Sequence, residues 1–361
     1  MKKLLLTTAA LLALNVGTAN AQETNLYWGD THLHTKVSGD AYIMGERSLT
    51  PDDAYRFAKG ETVANALTKK DIKIGTPLDF LVVTDHAEYM GIVAKLFEGD
   101  PELTKTKNGK MLSDLVKQGK AQETFFKIAA TVNSGTPYED LNSLEMQKPV
   151  WHGTVDAAER HNDPGNFTSF IGWEWSSIPD GANLHRIVFM KENGDVAKKY
   201  LPYSAFDSDK PEDLWNFLEK TEKETGAEFV AIPHNGNVSK GRMFAQVDSE
   251  GRPLTAQYAK ARMRWEPIYE VTQIKGDGET LGVLSPDDEF AEFETYDHAM
   301  DAKTGNENSH GLPADKGAYT ALPDHALVFV YSAVLILQQV MLMPKTLLLL
   351  DTPKAFRWGA I

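Results

Sequence analysis

The feature that most constrains the fold is a set of short apolar runs, several of which end in a histidine or an acidic residue. They lie at 26–28, 79–83, 169–173, 185–190, 228–232 and 268–274. Nearly continuous runs of β-branched and aromatic residues are typical of strands buried on both faces. Helical stretches separate most of the runs, and this alternation predicts an α/β architecture with a mostly parallel sheet or barrel.

Several helices are recognisable from their boundaries. Thr50 and Asp53 have the spacing of a capping box before a helix. A second helix is predicted over 211–224, where a proline opens the segment and a glycine follows it. We also expect a long amphipathic helix over 111–132 and a short one over 154–162.

The amino-acid composition restricts the possible metal ligands and binding partners. Cysteine is absent, so a metal site must be built from histidines and carboxylates. The chain has 37 Lys and Arg residues and 51 Asp and Glu residues, so its net charge is −14. This negative charge argues against nucleic-acid or membrane partners. Hydrophobic residues make up 42% of the chain, which excludes wholesale disorder.

Residues 1–21 have the order of a secretory signal peptide. Lys2 and Lys3 precede an apolar stretch over 4–16, and the Ala-Asn-Ala segment at 19–21 offers a cleavage site. The alternative is a single anchor helix, but the apolar run is short for a bilayer. We therefore expect cleavage after residue 21 and export to the periplasm or the extracellular space.

Seven polar residues lie at or just beyond the ends of the predicted strands. They are His32, His34, Asp85, His86, Glu174, His185 and His234. In a parallel barrel the C-terminal strand ends converge on one edge, where active sites form. His32 and His34 are two residues apart and so point to the same face, where they could bind one metal ion. A hydrogen-bonded pair without a metal is the ordinary alternative.

Two of these positions allow different interpretations. Asp85 and His86 form either a structural pair or part of a catalytic triad, but no Gly-x-Ser-x-Gly motif supplies the nucleophile. Glu174 stands between two tryptophans, where a buried carboxylate needs a partner. That partner is either a metal ion or a cation such as Arg186.

Basic and amide side chains follow His185 and His234 in the sequence. Arg186, Lys240 and Arg242 could hold an anionic group, although solvated charges are the ordinary alternative. Asn235 is a further candidate contact to substrate.

The candidate residues lie within a series of short motifs that follow one another along the chain. They comprise Tyr27-Trp28-Gly29-Asp30-x-His32-x-His34-Thr35, Asp40-Ala41-Tyr42, Leu49-Thr50-Pro51-Asp52-Asp53-Ala54-Tyr55, Pro77-Leu78-Asp79-Phe80, Thr84-Asp85-His86-Ala87-Glu88-Tyr89, Gly172-Trp173-Glu174-Trp175, Asn183-Leu184-His185-Arg186, Pro233-His234-Asn235, Gln273-Ile274-Lys275-Gly276-Asp277 and Leu284-Ser285-Pro286-x-Asp288-Glu289-Phe290. In these motifs the chain resembles the PHP (polymerase and histidinol phosphatase) superfamily of metal-dependent phosphoesterases. It resembles most closely an exported branch of that superfamily, the DUF3604 family.

The resemblance implies a PHP-like distorted (β/α)7 barrel with two or three divalent ions at its C-terminal edge. It implies the metal ligands His32, His34, Asp40, His86, Glu174, His185 and His234. Glu174 would bridge two ions, and Asp85 would orient a ligand. Imidazole and carboxylate ligands suit Zn, Mn or Fe. The catalytic residues that we name are Asp85, Glu174 and Arg186.

The function expected from these features is an exported metal-dependent hydrolase of the phosphoesterase type. A metal-activated hydroxide would attack a small anionic ester, with Asn235, Lys240 and Arg242 as substrate contacts. The alternative is a metal- or ligand-binding protein without turnover.

The C-terminal part departs from the family pattern. No Asp-x-His pair follows Glu294, and Glu279-Thr280-Leu281-Gly282 stands where the family has His-Pro. We therefore expect a body over 22–295 whose barrel is incomplete at its C-terminal end. If the site is nevertheless complete, Glu270 or Asp277 is expected to supply the missing ligand.

Residues 296–361 are expected to be an atypical segment that is not native to the fold, as in a frame-shifted reading. Within it, the apolar run 326–343 is either a membrane anchor or out-of-frame sequence. Gln338 and Gln339 in the middle of the run disfavour the anchor, because buried amides are costly in hydrocarbon.

Overall fold

The predicted strands form a curled half-barrel sheet of five strands flanked by helices. The structure is a computed structural model, and it describes residues 25–65, 69–278, 286–291 and 293. The strands are β1 (Gly29–Leu33), β2 (Val63–Asn65), β3 (Lys70–Ile72), β4 (Phe80–Val83), β5 (Thr168–Trp175), β6 (Arg186–Met190), β7 (Phe229–Pro233), β8 (Thr272–Gln273) and β9 (Gly276–Asp277). The helices are α1 (Gly39–Met44), α2 (Pro51–Ala58), α3 (Ile92–Glu98), α4 (Lys107–Lys117), α5 (Ala121–Asn133), α6 (Leu144–His161), α7 (Gly194–Ala197), α8 (Pro211–Thr225) and α9 (Ala256–Trp265).

The sheet is mixed, which corrects the expectation of a mostly parallel one. Its order is β1-β4-β5-β6-β7, with parallel pairing from β1 to β5 and antiparallel pairing on both sides of β6. Only residues 176–185 connect β5 to β6, fewer than the dozen or more that a parallel crossover needs. Strand β6 therefore reverses. Four strands end, and β6 begins, at one end of the sheet, which we call the rim.

Helix boundaries follow the sequence signals where caps are present. Thr50 and Asp53 form both bonds of the capping box at the start of α2. Helix α8 begins at Pro211, and Gly226 ends it in the left-handed conformation that glycine favours. The single helix predicted over 111–132 is wrong: α4 and α5 are separate because the chain turns at Gly119, whose φ is +76°.

Three further predictions differ from the structure in position or extent. The strand predicted over 26–28 is wrong, because the first strand begins only at Gly29. The helix predicted over 154–162 is the second half of α6. The strand predicted over 268–274 forms only the two residues of β8, which pairs with β9.

The two faces of the five-stranded sheet bury different sets of side chains. The concave face carries an apolar layer of Phe80, Val82, Phe170, Ile187, Phe189, Val230 and Ile232. The convex face packs against α2, α6 and α8 through a larger core that includes five tryptophans, three of which, Trp151, Trp173 and Trp175, have no side-chain exposure. Among these three, each indole N–H donates to a backbone carbonyl: Trp151 to Ala197, Trp173 to Tyr203 and Trp175 to Ser208. Large aromatic side chains thus fill this core without a buried unpaired donor.

A network of buried charges stabilises the convex side. Glu266 is fully buried and accepts from Arg186 at 3.0 Å, from Arg262 at 3.0 Å and from the Trp215 indole at 2.8 Å. The two guanidinium groups hold the pKa of Glu266 below its usual value, although burial opposes this. Because each charge has a partner, the network joins β6, α8 and α9.

Several sequence predictions lie outside the described residues. They concern the signal peptide at 1–21, the segment 279–282, the C-terminal segment 296–361 and its apolar run. Across the part of the chain that the structure describes, no helix is both long and apolar enough to cross a bilayer.

The concave face has no room for an added methyl group at Gly172. A Cβ there would lie 2.6 Å from Val82 Cγ1 and 2.7 Å from the carbonyl oxygen of Val188. We expect Gly172→Ala to lower the free energy of unfolding by about 1–3 kcal/mol through overpacking, measured by chemical denaturation.

Gly153, on the exposed face of α6, is the matched control because nothing lies within 4 Å of its added Cβ. Gly153→Ala should raise stability by about 0.5–1 kcal/mol through helix propensity. Equal effects of the two substitutions would contradict this account of the concave face.

Candidate metal centre

On the concave face, the apolar side chains in the middle of the strands give way to polar side chains at the rim. Side chains two residues apart in a strand share a face. Phe170 and Gly172 are followed on that face by Glu174, Ile232 is followed by His234, and His185 precedes Ile187. His86 lies opposite Glu174 in the next strand, joined through the Ala87 N–H to the Glu174 carbonyl at 2.9 Å.

Eight side chains meet at this rim, and we call them the histidine–carboxylate cluster. They are His32, His34, Asp40, His86, Glu174, His185, His234 and Glu270. All seven metal ligands that the resemblance implies are among them. The reversal of β6 is what brings His185 there, because its position before the strand lies at the same rim as the ends of the parallel strands.

Glu174 is the centre of the cluster, with 1% of its surface exposed. Its Oε1 lies 2.5 Å from His185 Nδ1 and 3.0 Å from His234 Nε2. Its Oε2 lies 2.7 Å from His34 Nε2, 3.3 Å from His86 Nδ1 and 3.7 Å from His32 Nε2. One buried carboxylate therefore faces five imidazoles.

The two oxygens of Glu174 differ in their contacts. Oε1 forms hydrogen bonds with His185 Nδ1 and His234 Nε2. Oε2 lies 2.7 Å from His34 Nε2, yet both of these atoms, and also His185 Nε2, are buried without a hydrogen-bond partner among the described residues. Ligand atoms that share one ion lie about 3.0–3.4 Å apart with their lone pairs aimed at the ion. An ion between Oε2 and the imidazoles would explain why these close atoms are not aligned with each other.

Four overlapping sets of side chains could hold a metal ion. In each set the possible ligand atoms lie within 4.8 Å of one another. The sets are His32, His34 and Glu174; His32, His234 and Glu270; His34, Asp40 and His86; and His86, Glu174 and His185. These residues supply imidazole nitrogen and carboxylate oxygen, which suits divalent transition metals.

Protonated imidazoles balance the carboxylates in the cluster without metal. Burial opposes the charge on His32, but the nearby carboxylates of Glu174 and Glu270 outweigh it and raise its pKa to about 9. The pKa values of His34 and His86 are also raised despite burial, because Asp40 and Glu174 are close.

The pKa values of the other two histidines and of two carboxylates are lowered. Burial lowers the pKa of His185 to about 3, since the neighbouring Glu174 only partly offsets it. Burial likewise lowers the pKa of His234. The pKa values of Glu174 and Asp40 fall below their usual range, because nearby imidazoles outweigh the effect of burial. The cluster therefore holds ionised carboxylates beside imidazoles of both charge states.

Asp85 lies behind the cluster and not in it. Its carboxylate accepts the backbone N–H of Thr35 at 2.6 Å and the Thr35 hydroxyl at 2.8 Å. Burial raises the pKa of Asp85 in spite of these bonds. Because Thr35 follows His34, Asp85 fixes the backbone that carries this imidazole.

Arg186, named above as catalytic, is not brought to the cluster. It is 2% exposed, lies on the convex face and pairs with Glu266 there, 5.6 Å from the ring of Trp175. Adjacent residues in a strand point to opposite faces, so the position next to His185 already carried this signal. Glu174 consequently has imidazoles as partners and not Arg186.

The other three substrate candidates have structural partners. Lys240 donates to the carbonyl of Asp180 at 3.0 Å, and Arg242 pairs with the Asp180 carboxylate at 2.8 Å. Asn235 is buried, with a φ of +63°, and its amide donates to Asn183 at 3.2 Å. These contacts join the loop after β7 to the loop before β6.

Glu270 was foreseen only as one of two alternatives, with Asp277, for completing the site. Its Oε2 lies 2.7 Å from His32 Nδ1, and its backbone N–H donates to the carbonyl of Pro233 at 3.1 Å. The segment after α9 therefore lies beside the end of β7. The side chain of Asp277 is outside what the structure describes.

Comparison with known proteins gives one match. A family model described as "Protein of unknown function (DUF3604)" matches residues 21–319. No curated protein and no solved structure matches the chain.

Removing one imidazole from the cluster should remove metal. We expect His34→Ala and His86→Ala to lose most of the zinc or manganese bound by the purified protein, measured by elemental analysis after dialysis. His161→Ala is the control, because this histidine ends α6 and contacts Asp52 at 3.0 Å, away from the cluster. Equal metal content in the three variants would contradict the assignment.

Metal binding should also release protons. With a pKa of about 9, His32 is protonated at pH 7, and an ion can bind its ring only after a proton leaves. The apparent affinity should therefore rise as the pH increases from 7 to 9. Calorimetry in buffers of different ionisation enthalpy measures this release, and a binding heat that is the same in all buffers would exclude it.

Proposed function

The chain belongs to the DUF3604 family, and we propose that it is an exported metal-dependent hydrolase, of the phosphoesterase type. The observation that carries the proposal is the buried meeting of five imidazoles on Glu174, whose Oε2 lies 2.7 Å from His34 Nε2 although neither atom has an aligned hydrogen bond. Such an arrangement is costly unless ions occupy it. Export rests on the order of residues 1–21.

We propose that two or three Zn, Mn or Fe ions bind at the cluster. The residues that would hold them are His32, His34, Asp40, His86, Glu174, His185 and His234. When bound, such ions supply Lewis acidity, an activated water and positive charge for an anionic ester. We also propose that the five-stranded half-barrel belongs to a PHP-like (β/α)7 barrel.

The residues of the chain prepare the site in three ways. Glu174 presents one oxygen to His185 and His234 and the other to His34, which places it between both halves of the cluster. The apolar layer beneath excludes water from the floor. Asp85 holds the backbone after His34 in place.

Charge balance favours an anionic substrate. Asp40, Glu174 and Glu270 contribute three negative charges among otherwise neutral ligands. Two divalent ions would leave this site with a net positive charge, and three would leave more. The cationic side chains proposed as substrate contacts, Lys240 and Arg242, lie in the loop after β7, where both bond to Asp180.

A metal-binding protein without turnover is the second candidate. It is favoured by a sequence observation, the lack of an Asp-x-His pair after Glu294.

The two candidates are separated by assaying purified full-length protein on small phosphate mono- and diesters, with sulfate esters as a comparison. We expect turnover of phosphate esters that chelator abolishes and added metal restores. Glu174→Gln should lower kcat/KM by about 100-fold or more, whereas Asp156→Asn, in an exposed ion pair with Lys198, should leave it unchanged. Turnover that resists chelator would overturn the proposal, and bound metal without any turnover would favour the second candidate.

A further inference from the structure

Glu270 is a member of the cluster that is not among the seven predicted metal ligands. Its Oε2 accepts from His32 Nδ1 at 2.7 Å, and its Oε1 accepts from the Gln273 amide at 3.0 Å. Both of its oxygens are therefore engaged, and its backbone is bound to Pro233, next to His234. The Glu270 side chain, like that of His32, is 16% exposed, so water competes little with this contact.

The two ring nitrogens of His32 have different surroundings. Nδ1 is aligned with Glu270, whereas Nε2 lies 3.7 Å from Glu174 Oε2 with no aligned bond between them. A neutral imidazole has one N–H and one lone pair. In the neutral ring that would bind a metal ion, the contact with Glu270 puts the N–H at Nδ1 and leaves the lone pair at Nε2, on the side of Glu174.

Three other histidines of the cluster also have a contact at Nδ1. His34 Nδ1 lies 3.1 Å from Asp40, His86 Nδ1 contacts the Ser176 hydroxyl, and His234 Nδ1 faces the carbonyl of Ile232 at 3.4 Å. Each ring thus has a fixed partner at Nδ1. Histidines that bind metals almost always hydrogen-bond through their other nitrogen in this way.

We propose that Glu270 is a positioning residue, which fixes the tautomer and orientation of His32 so that Nε2 faces a metal ion shared with Glu174. This inference rests on the metal centre of the proposed function but not on hydrolysis. It differs from the expectation that Glu270 completes the cluster as a ligand, because the two Glu270 oxygens accept from His32 Nδ1 and from Gln273 instead of binding an ion. Gln273 extends the chain of bonds, since it holds the second carboxylate oxygen in place.

The inference is tested on the full-length protein with Co²⁺ and Zn²⁺. We expect Glu270→Ala to weaken binding about 10- to 100-fold, measured by competition with a chromophoric chelator, while the number of ions bound at saturation stays the same. Glu270→Gln keeps an acceptor oxygen and should lose less than Glu270→Ala. The ligand-field spectrum of bound Co²⁺ should keep its form in both variants. Asp156→Asn, which removes an exposed carboxylate far from the cluster, should bind as the wild type does.

Three outcomes would overturn the inference. A lower number of ions at saturation, or a changed Co²⁺ spectrum in Glu270→Gln, would make Glu270 a ligand. Unchanged affinity in both variants would remove Glu270 from the metal centre while the centre itself stands. A wild-type protein that binds neither ion would refute the proposed metal centre as well. Circular dichroism of each variant identifies a loss of fold, and Glu270→Gln, which preserves shape, carries the test if Glu270→Ala does not fold.

Discussion

The site depends on the burial of one carboxylate, Glu174, in the middle of the sheet. A charge that leaves water must be compensated, because an unpaired buried carboxylate costs several kcal/mol. Here the compensation comes from imidazoles on four different strands or strand ends, and their own protonation follows from that need. The pKa values of neighbouring histidines move in opposite directions because burial dominates at His185 and His234, whereas the carboxylates dominate at His32 and His34. Divalent ions would satisfy this requirement with less reliance on protons.

Because side chains alternate along each strand, the histidine–carboxylate cluster lies on one face of the sheet and a second group of buried charges lies on the other. Glu174 and His185 face the concave side, whereas Trp175 and Arg186, one residue later, face the convex side. The convex side has its own buried charges, which pair among themselves around Glu266. Two charged networks thus lie back to back in one sheet. The charges of each network contact one another on their own side of the sheet, and the contacts described above do not cross between the two networks.

The loops at the rim are held by buried polar contacts and not only by packing. Glu88 accepts the backbone N–H groups of Ser176 at 3.1 Å and Ala205 at 2.6 Å, and burial raises its pKa. The Ser176 hydroxyl in turn contacts His86. A carboxylate behind the cluster therefore orders the loop that supplies a partner to one of its rings. Together with Asp85, which binds the backbone after His34, it forms a layer of acidic residues behind the cluster.

The sequence by itself determined the kind of site and most of its members. The absence of cysteine restricted the ligands to imidazole and carboxylate, and the apolar runs located His86, Glu174 and His234 at strand ends. Local signals also determined the start of α2, through its capping box, and the two ends of α8, through Pro211 and Gly226, because these signals act within a few residues. Only the tertiary structure decided the direction of β6, which depends on how a short connection closes against the neighbouring strand. That reversal brings His185 to the rim. The contact between Glu270 and His32 spans 238 residues of sequence, and no local pattern encodes it, because it exists only once the segment after α9 lies against β7.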